Sequence, residues 1–192
     1  MAGNTILNNA KYSSNTDEWY TTYDTIAQEL IHYESQFKNK IVLCNCDDPF
    51  ESNFSYFFLK NFNRLGLKKL ICTSYGASRI NMIKENIPMP LSLFDEIEDD
   101  LDSKNGCVLI VSRMPGKGNE EIPDNIINNM LRKKGVVKKL KGNGDFRSEE
   151  CVEYLKQCDI CCTNPPFSLF AELFSLLVKY NKPVSYTHLT LP

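Results

Sequence analysis

The residues of this chain best suited to unusual chemistry form the tetrapeptide Asn164-Pro165-Pro166-Phe167. Consecutive prolines hold φ at about −65° and remove two N–H donors, and a residue before proline is driven out of the helical region. The result is a stiff turn whose carbonyls face outward as acceptors. Asn164 adds a side-chain carbonyl beside them, and Phe167 adds an aromatic face. An exocyclic amine that is to attack an electrophilic methyl group needs such a setting. Acceptors on its hydrogens localise the lone pair, and a ring stacks its base. The plainer alternative is a strand-to-helix turn with proline at the first helical position.

Elements on either side must place this turn. Asp159 to Thr163 is a short apolar run that reads as a strand, and Ser168 to Tyr180 has helical spacing, with Phe170, Leu173, Phe174 and Leu177 on one side. Two other predicted strands end in polar turns: Lys40 to Cys46 runs into Asn45 to Pro49, and Gly135 to Leu140 runs into Gly142 to Phe146. Trp19, Tyr23, Ile26, Leu30, Tyr33 and Phe37 predict an amphipathic helix with Asn15 or Thr16 as its cap. Asn53 to Leu65 predicts a second helix, closed by Gly66, and Lys69 to Thr73 a second strand. Ser148 to Gln157 reads as a capped helix. Strand, helix, strand in that order is a βαβ unit with parallel pairing. The expected fold is therefore α/β, with a doubly wound sheet at whose carboxyl edge ligands collect.

Composition fits this reading. The 192 residues suit one α/β domain, and 42% apolar with 24% charged residues is ordinary globular usage. No run of about 18 apolar residues occurs, so no membrane span is expected. Met1 to Tyr12 lacks the apolar centre of a secretory signal, which makes the cytoplasm the expected compartment. A net charge of −2 argues mildly against a nucleic-acid partner. Charge is segregated, however: six acids lie between Asp95 and Asp102 and six bases between Arg132 and Lys141, which read first as solvated faces. Eight cysteines raise the question of zinc or disulfides. Most sit in strand-like runs, where alternation sends Cys161 and Cys162 to opposite faces, so buried thiols and no metal site are expected.

In combination these blocks resemble the EcoRI type of adenine-specific DNA methyltransferases. The likeness rests on Asp17-Glu-Trp-Tyr-Thr21, Val42 to Pro49 with Ser52-Asn53-Phe54, Gly66 to Leu70, Gly142 to Ser148, and Asp159 to Phe170, in the family's order over about residues 11 to 183. Gly76 to Gly135 matches poorly and reads as a divergent insertion. The resemblance implies a Rossmann-like methyltransferase sheet, incomplete on its C-terminal side, that binds S-adenosylmethionine. Tyr20 and Thr21 would belong to the segment closing over the methionine end. Asn45, Asp47 and Asp48 would approach the amino-acid part, replacing the usual glycine-rich loop. Asp145 and Phe146 would hold the adenine. Asn164, Pro165, Pro166 and Phe167 would hold a flipped adenine of double-stranded DNA for transfer to its N6. Where the family places a ribose-binding carboxylate after the second strand, this chain has Thr73, Ser74 and Tyr75. Without the resemblance, Asp47 and Asp48 read equally as helix caps, and Asp145 as an Asx turn.

Residues 1–183 are thus expected to form a partial catalytic domain without its DNA-recognition region, and weak or no sequence-specific DNA methylation is expected of it alone. Val184 to Pro192 breaks the apolar strand expected after Tyr180 and reads as a non-native tail. Rival readings are methylation of RNA bases or of protein glutamine, which use similar turns, and a cofactor-binding scaffold without turnover.

Overall fold

The computed structural model describes residues 21–76, 105–116, 118 and 120–185. The caps Asn15 and Thr16, Tyr20 with the block before it, and the acidic segment lie outside them.

Helix α1 (Tyr23–Leu30) starts at a Thr22 cap whose side chain accepts from the Thr25 N–H. A 3₁₀ turn at Ile31–Tyr33 and the short α2 (Glu34–Phe37) follow, so the predicted long helix is broken in two. Strand β1 (Ile41–Asn45) leads into α3 (Asn53–Lys60), which is shorter than its apolar spacing predicts. Turns carry the chain from Asn61 to Gly66, whose φ of +61° suits glycine. Then come β2 (Lys69–Ser74), β3 (Cys107–Val111), α4 (Asp124–Leu131) and β4 (Val137–Lys139). Helix α5 (Glu149–Gln157) has the expected Ser148 cap. β5 (Ile160–Cys162), α6 (Phe170–Lys179) and the two-residue β6 (Val184–Ser185) close the described chain.

The strands form one sheet in the order β4-β3-β2-β1-β5-β6. β1 is parallel to β2 and β5, and β5 to β6. β3 runs antiparallel to both β2 and β4. The sheet is thus mixed: the expected parallel pairing of the βαβ unit holds for β1 and β2, while β3 and β4 add antiparallel pairs. The reason lies at the β2 exit. Ser74 pairs with Cys107, so the chain enters β3 at the edge where β2 leaves, and such a return needs no crossover helix. β3 and α4, from the stretch read as an insertion, supply Leu109, Val111 and Ile127 to the core. Lys138 and Lys139 on the outer strand β4 are exposed, a common guard against edge-to-edge pairing.

Helices cover both faces. Ile26, Phe37, Phe54, Phe58 and Ile127 pack with Val42, Cys44 and Cys162 on one side. Cys151, Leu155, Leu173 and Leu177 pack with Leu43, Ile71 and Cys161 on the other. Cys161 and Cys162 do face opposite ways, as strand alternation requires. Seven of the eight thiols are buried and Cys46 is half-buried. Burial pushes the Cys158 thiol up to about 11 and the Cys107 thiol up to about 12. Phe174, expected on the covered side of α6, is 48% exposed, because Leu173 and Leu177, flanked by Leu176, form the face that packs on the core. Among the described residues, no group of His, Cys, Asp or Glu is placed to hold a metal, and no helix is long and apolar enough to cross a membrane.

Candidate active site at the strand ends

From β1 the chain moves to β2 on one side and later to β5 on the other, so the order in which strands are added reverses between the parallel strands β1 and β5. Open α/β sheets bind ligands outside the carboxyl ends of their strands at such a point. Asp47 follows β1 and Asn164 follows β5, and both line one hollow. Its other walls are Thr21, Cys46, Asp48, Glu51, Ser52, Asn53, Phe54, Ser74 and Tyr75. Its cavity volume is about 110 Å³ and it opens to solvent, so it is smaller than a fully enclosed ligand pocket.

The floor is built by short-range rules. Cys46 adopts φ of +67°, an uncommon backbone for a side chain of its kind, and this turns the chain sharply at the tip of β1. The next N–H, that of Asp47, donates to the Thr73 carbonyl at 2.9 Å, sealing the tip to β2. Ser52 caps α3, accepting from Phe54 N–H at 3.1 Å and Ser55 N–H at 3.4 Å. Its hydroxyl donates in turn to Asp47 Oδ1 at 2.6 Å. Asp47 therefore holds the cap residue rather than the helix itself. Its other oxygen, Oδ2, accepts from the Asn164 N–H at 3.4 Å. Asp48 Oδ1 accepts from Phe50 N–H at 2.7 Å and Glu51 N–H at 3.2 Å, the local capping role expected of a turn aspartate.

Three acids, Asp47, Asp48 and Glu51, line the hollow, and no lysine or arginine does so among the described residues. A cationic ligand suits this lining. At the N-terminus of α3, Asn53 Nδ2 donates to the Thr21 carbonyl at 2.8 Å, which ties the start of the described chain to the rim. Asn45 does not line the hollow. It is 1% exposed, and its Oδ1 accepts from Thr73 Oγ1 at 2.7 Å beneath the floor.

The Gly142 to Phe146 block stands beside this hollow, outside its lining. Gly76 N–H donates to the Asn143 carbonyl at 2.7 Å, and Asn143 Nδ2 to the Tyr75 hydroxyl at 3.0 Å, so the block abuts the Ser74–Tyr75 rim. Gly144, with φ of +80°, lies so close that an added Cβ would fall 2.0 Å from the Ser74 carbonyl oxygen. Asp145 forms an Asx turn with Arg147 N–H at 2.8 Å and a two-point ion pair with its guanidinium. Those bonds hold the Asp145 carboxyl below the usual carboxylate range. Arg147 also reaches Glu172 on α6 at 2.5 Å. Phe146 is buried in the α5–α6 core, with the Arg147 guanidinium 5.4 Å from its ring.

The elbow itself starts a 3₁₀ turn, Phe167–Leu169, in which Leu169 N–H donates to the Pro166 carbonyl at 3.0 Å. Phe167 is 54% exposed, leaving most of its ring uncovered. Of the residues singled out in the sequence, Thr21, Asp47, Asp48 and Asn164 line this one space. The sequence reading passed over Glu51 and the lining roles of Ser52, Asn53, Ser74 and Tyr75. Asp47 to Asn53 is a run of polar residues at a helix start, and that was the available signal.

Comparison with known proteins bears on this arrangement. A family model described as adenine-specific methyltransferase EcoRI matches residues 6–185. The chain belongs to this family. It is 39% identical over 181 residues to Type II methyltransferase M.EcoRI of Escherichia coli, covering 94% of this chain and 47% of that protein. It is 38% identical over 192 residues to M.MgeORF184P of Mycoplasma genitalium, covering 95% and 46%. Against M.MpnI of Mycoplasma pneumoniae the identity is 35% over 176 residues, covering 92% and 41%. The chain thus spans a little under half the length of these curated relatives. No solved structure matches.

Proposed function

We propose that this chain carries the cofactor-binding and methyl-transfer site of an S-adenosylmethionine-dependent DNA methyltransferase acting on adenine N6, on a Rossmann-like sheet. One observation carries the reading: Asn164 and the acidic tip of β1 share a hollow at the switch point of the sheet. Family membership and the names of the relatives supply the reaction class.

The lining suits the cofactor. A sulfonium and an ammonium are both cationic, and Asp47, Asp48 and Glu51 face the space they would occupy. The N-terminus of α3 offers the positive end of a helix to a carboxylate. Tyr75 on the rim and Asn143, which donates to the Tyr75 hydroxyl, offer polar and aromatic contacts suited to a base. When bound, S-adenosylmethionine supplies an electrophilic methyl group on sulfur.

The chain's own residues then do three things. Asn164 Oδ1 and the Pro165 carbonyl accept from the amino hydrogens of the target base, which orients the nitrogen lone pair. Pro165 and Pro166 keep those acceptors rigid, so little reorganisation is needed at the moment of reaction. The exposed ring of Phe167 stacks a base taken out of the duplex. Double-stranded DNA is the substrate on this reading, and no metal takes part.

Calorimetric titration with S-adenosylmethionine tests the binding half. Transfer of tritiated methyl groups to DNA, RNA and protein, followed by nucleoside digestion, tests the rest. The expected product is N6-methyladenine in DNA. Label appearing in RNA or in glutamine would support the rival substrates instead.

A further inference from the structure

Three polar side chains lie side by side at the carboxyl ends of neighbouring strands: Asn45 ends β1, Thr73 is the last residue but one of β2, and Thr163 follows β5. Asn45 pairs in register with Thr73. Extending the β1–β5 register by two residues from Leu43 and Cys161 sets Asn45 beside Thr163. Alternation puts all three on the face of Leu43, Ile71 and Cys161, toward the α5–α6 core. Asn45, Thr73 and Thr163 are 1%, 0% and 2% exposed.

Their hydrogen bonding is incomplete. Thr73 Oγ1 donates to Asn45 Oδ1 at 2.7 Å, but Asn45 Nδ2 and Thr163 Oγ1 make no hydrogen bond among the described residues. A buried polar group left in that condition carries its full desolvation penalty, so native proteins rarely tolerate one, and here two are neighbours. One is a donor and the other a hydroxyl that both donates and accepts. We propose that Asn45 and Thr163 hold one buried water between them. Asn45 Nδ2 donates to it and it donates to Thr163 Oγ1, in the manner of structural waters. The row Thr73–Asn45–water–Thr163 spans three strand ends.

This row makes Thr163 a positioning residue for the elbow. Pro165 and Pro166 have no N–H with which to anchor themselves, so the turn must be held through the residues before them. Asn164 is held on one side by Asp47 Oδ2, at 3.4 Å from its N–H. The row holds the adjoining residue from below. Its relevance to methyl transfer rests on the function proposed above, whereas the row itself does not.

Backbone hydrogen exchange of the full, cofactor-free chain reads the row directly. Thr163→Val removes the hydroxyl at nearly constant volume. It should speed exchange at the Asn164 amide about tenfold or more while Val42 to Cys44 stay within about twofold. Thr163→Ser should restore the original rate. Unchanged exchange at Asn164 in the valine variant, or equal acceleration in the serine variant, overturns the proposal. If Thr163→Val does not fold, magnetisation transfer from water to the Asn45 side-chain amide of the unaltered chain decides. A long-lived bound water supports the row and its absence overturns it. Neither readout involves S-adenosylmethionine or DNA, so they stand apart from any failure of the functional reading.

Discussion

Asp47 and Asn164 stand 117 residues apart in the chain, yet the Asn164 N–H donates to Asp47 Oδ2 at 3.4 Å. The other oxygen of the same carboxylate takes the hydroxyl of Ser52, which caps α3. One buried side chain thus joins the tip of β1, the start of α3 and the proline elbow after β5. Any ligand that fills the hollow meets all three as a single rigid unit.

Asn164→Ala removes a proposed acceptor but keeps the backbone N–H that Asp47 holds. Methyl transfer should fall by about 100-fold or more, with the Kd for S-adenosylmethionine changed by less than about threefold. Tritiated transfer and calorimetry measure the two. Equal loss of both would count against the assigned role.

Asp47→Ala leaves the Ser52 hydroxyl and the Asn164 amide without this acceptor. A loss of about 1–3 kcal/mol is expected in urea unfolding. Asp47→Asn keeps one of the two acceptors and removes the charge, so it should recover part of the stability and still bind the cationic cofactor weakly. If the asparagine variant bound S-adenosylmethionine as tightly as the unaltered chain, charge complementarity at this position would be refuted.

Phe167 is largely exposed, so Phe167→Ala should shift Tm by no more than about 2 °C. Its stacking role predicts a loss of about 1–3 kcal/mol in engagement of an unpaired adenine. Phe167→Tyr should retain most of it. Fluorescence titration with an oligonucleotide carrying 2-aminopurine at the target position gives the comparison.

Gly144 and Gly142 separate close packing from mere loop composition. In Gly144→Ala the new Cβ meets the Ser74 carbonyl oxygen on backbone already at φ of +80°. A cost above about 3 kcal/mol is expected. Gly142 has nothing within 4 Å of that position, so Gly142→Ala should change stability by less than about 1 kcal/mol. Urea midpoints of the two variants make the test.

The buried thiols predict an alkaline limit to stability. Burial raises Cys158 to about 11 and Cys107 to about 12. An unfolded thiol titrates at about 8.5. The folded chain therefore binds these protons more tightly. Their contribution is complete below the unfolded value and is lost as pH rises through the window toward the folded values. Tm should fall between pH 8.5 and 10.5, and at pH 8 a thiol reagent should modify the half-buried Cys46 well before the other seven cysteines. Rapid modification of several thiols in the folded chain would contradict the burial.

Local pattern was enough to find most elements and the elbow, because strand period, helix spacing, caps and proline stiffness act over a few residues. It placed β1, β2, β5 and the Ser148 cap, and it sent Cys161 and Cys162 to opposite faces. It singles out Thr21, Asp47, Asp48 and Asn164, which line one hollow. Tertiary structure alone decided that β3 returns antiparallel, since pairing direction depends on where the chain re-enters the sheet. It alone turned Asp47 into the hollow, bound Asp145 to Arg147 and put Asn45 under the floor. An acid in a polar turn reads alike in all these settings. Which partner it finds depends on residues brought close only when the sheet assembles.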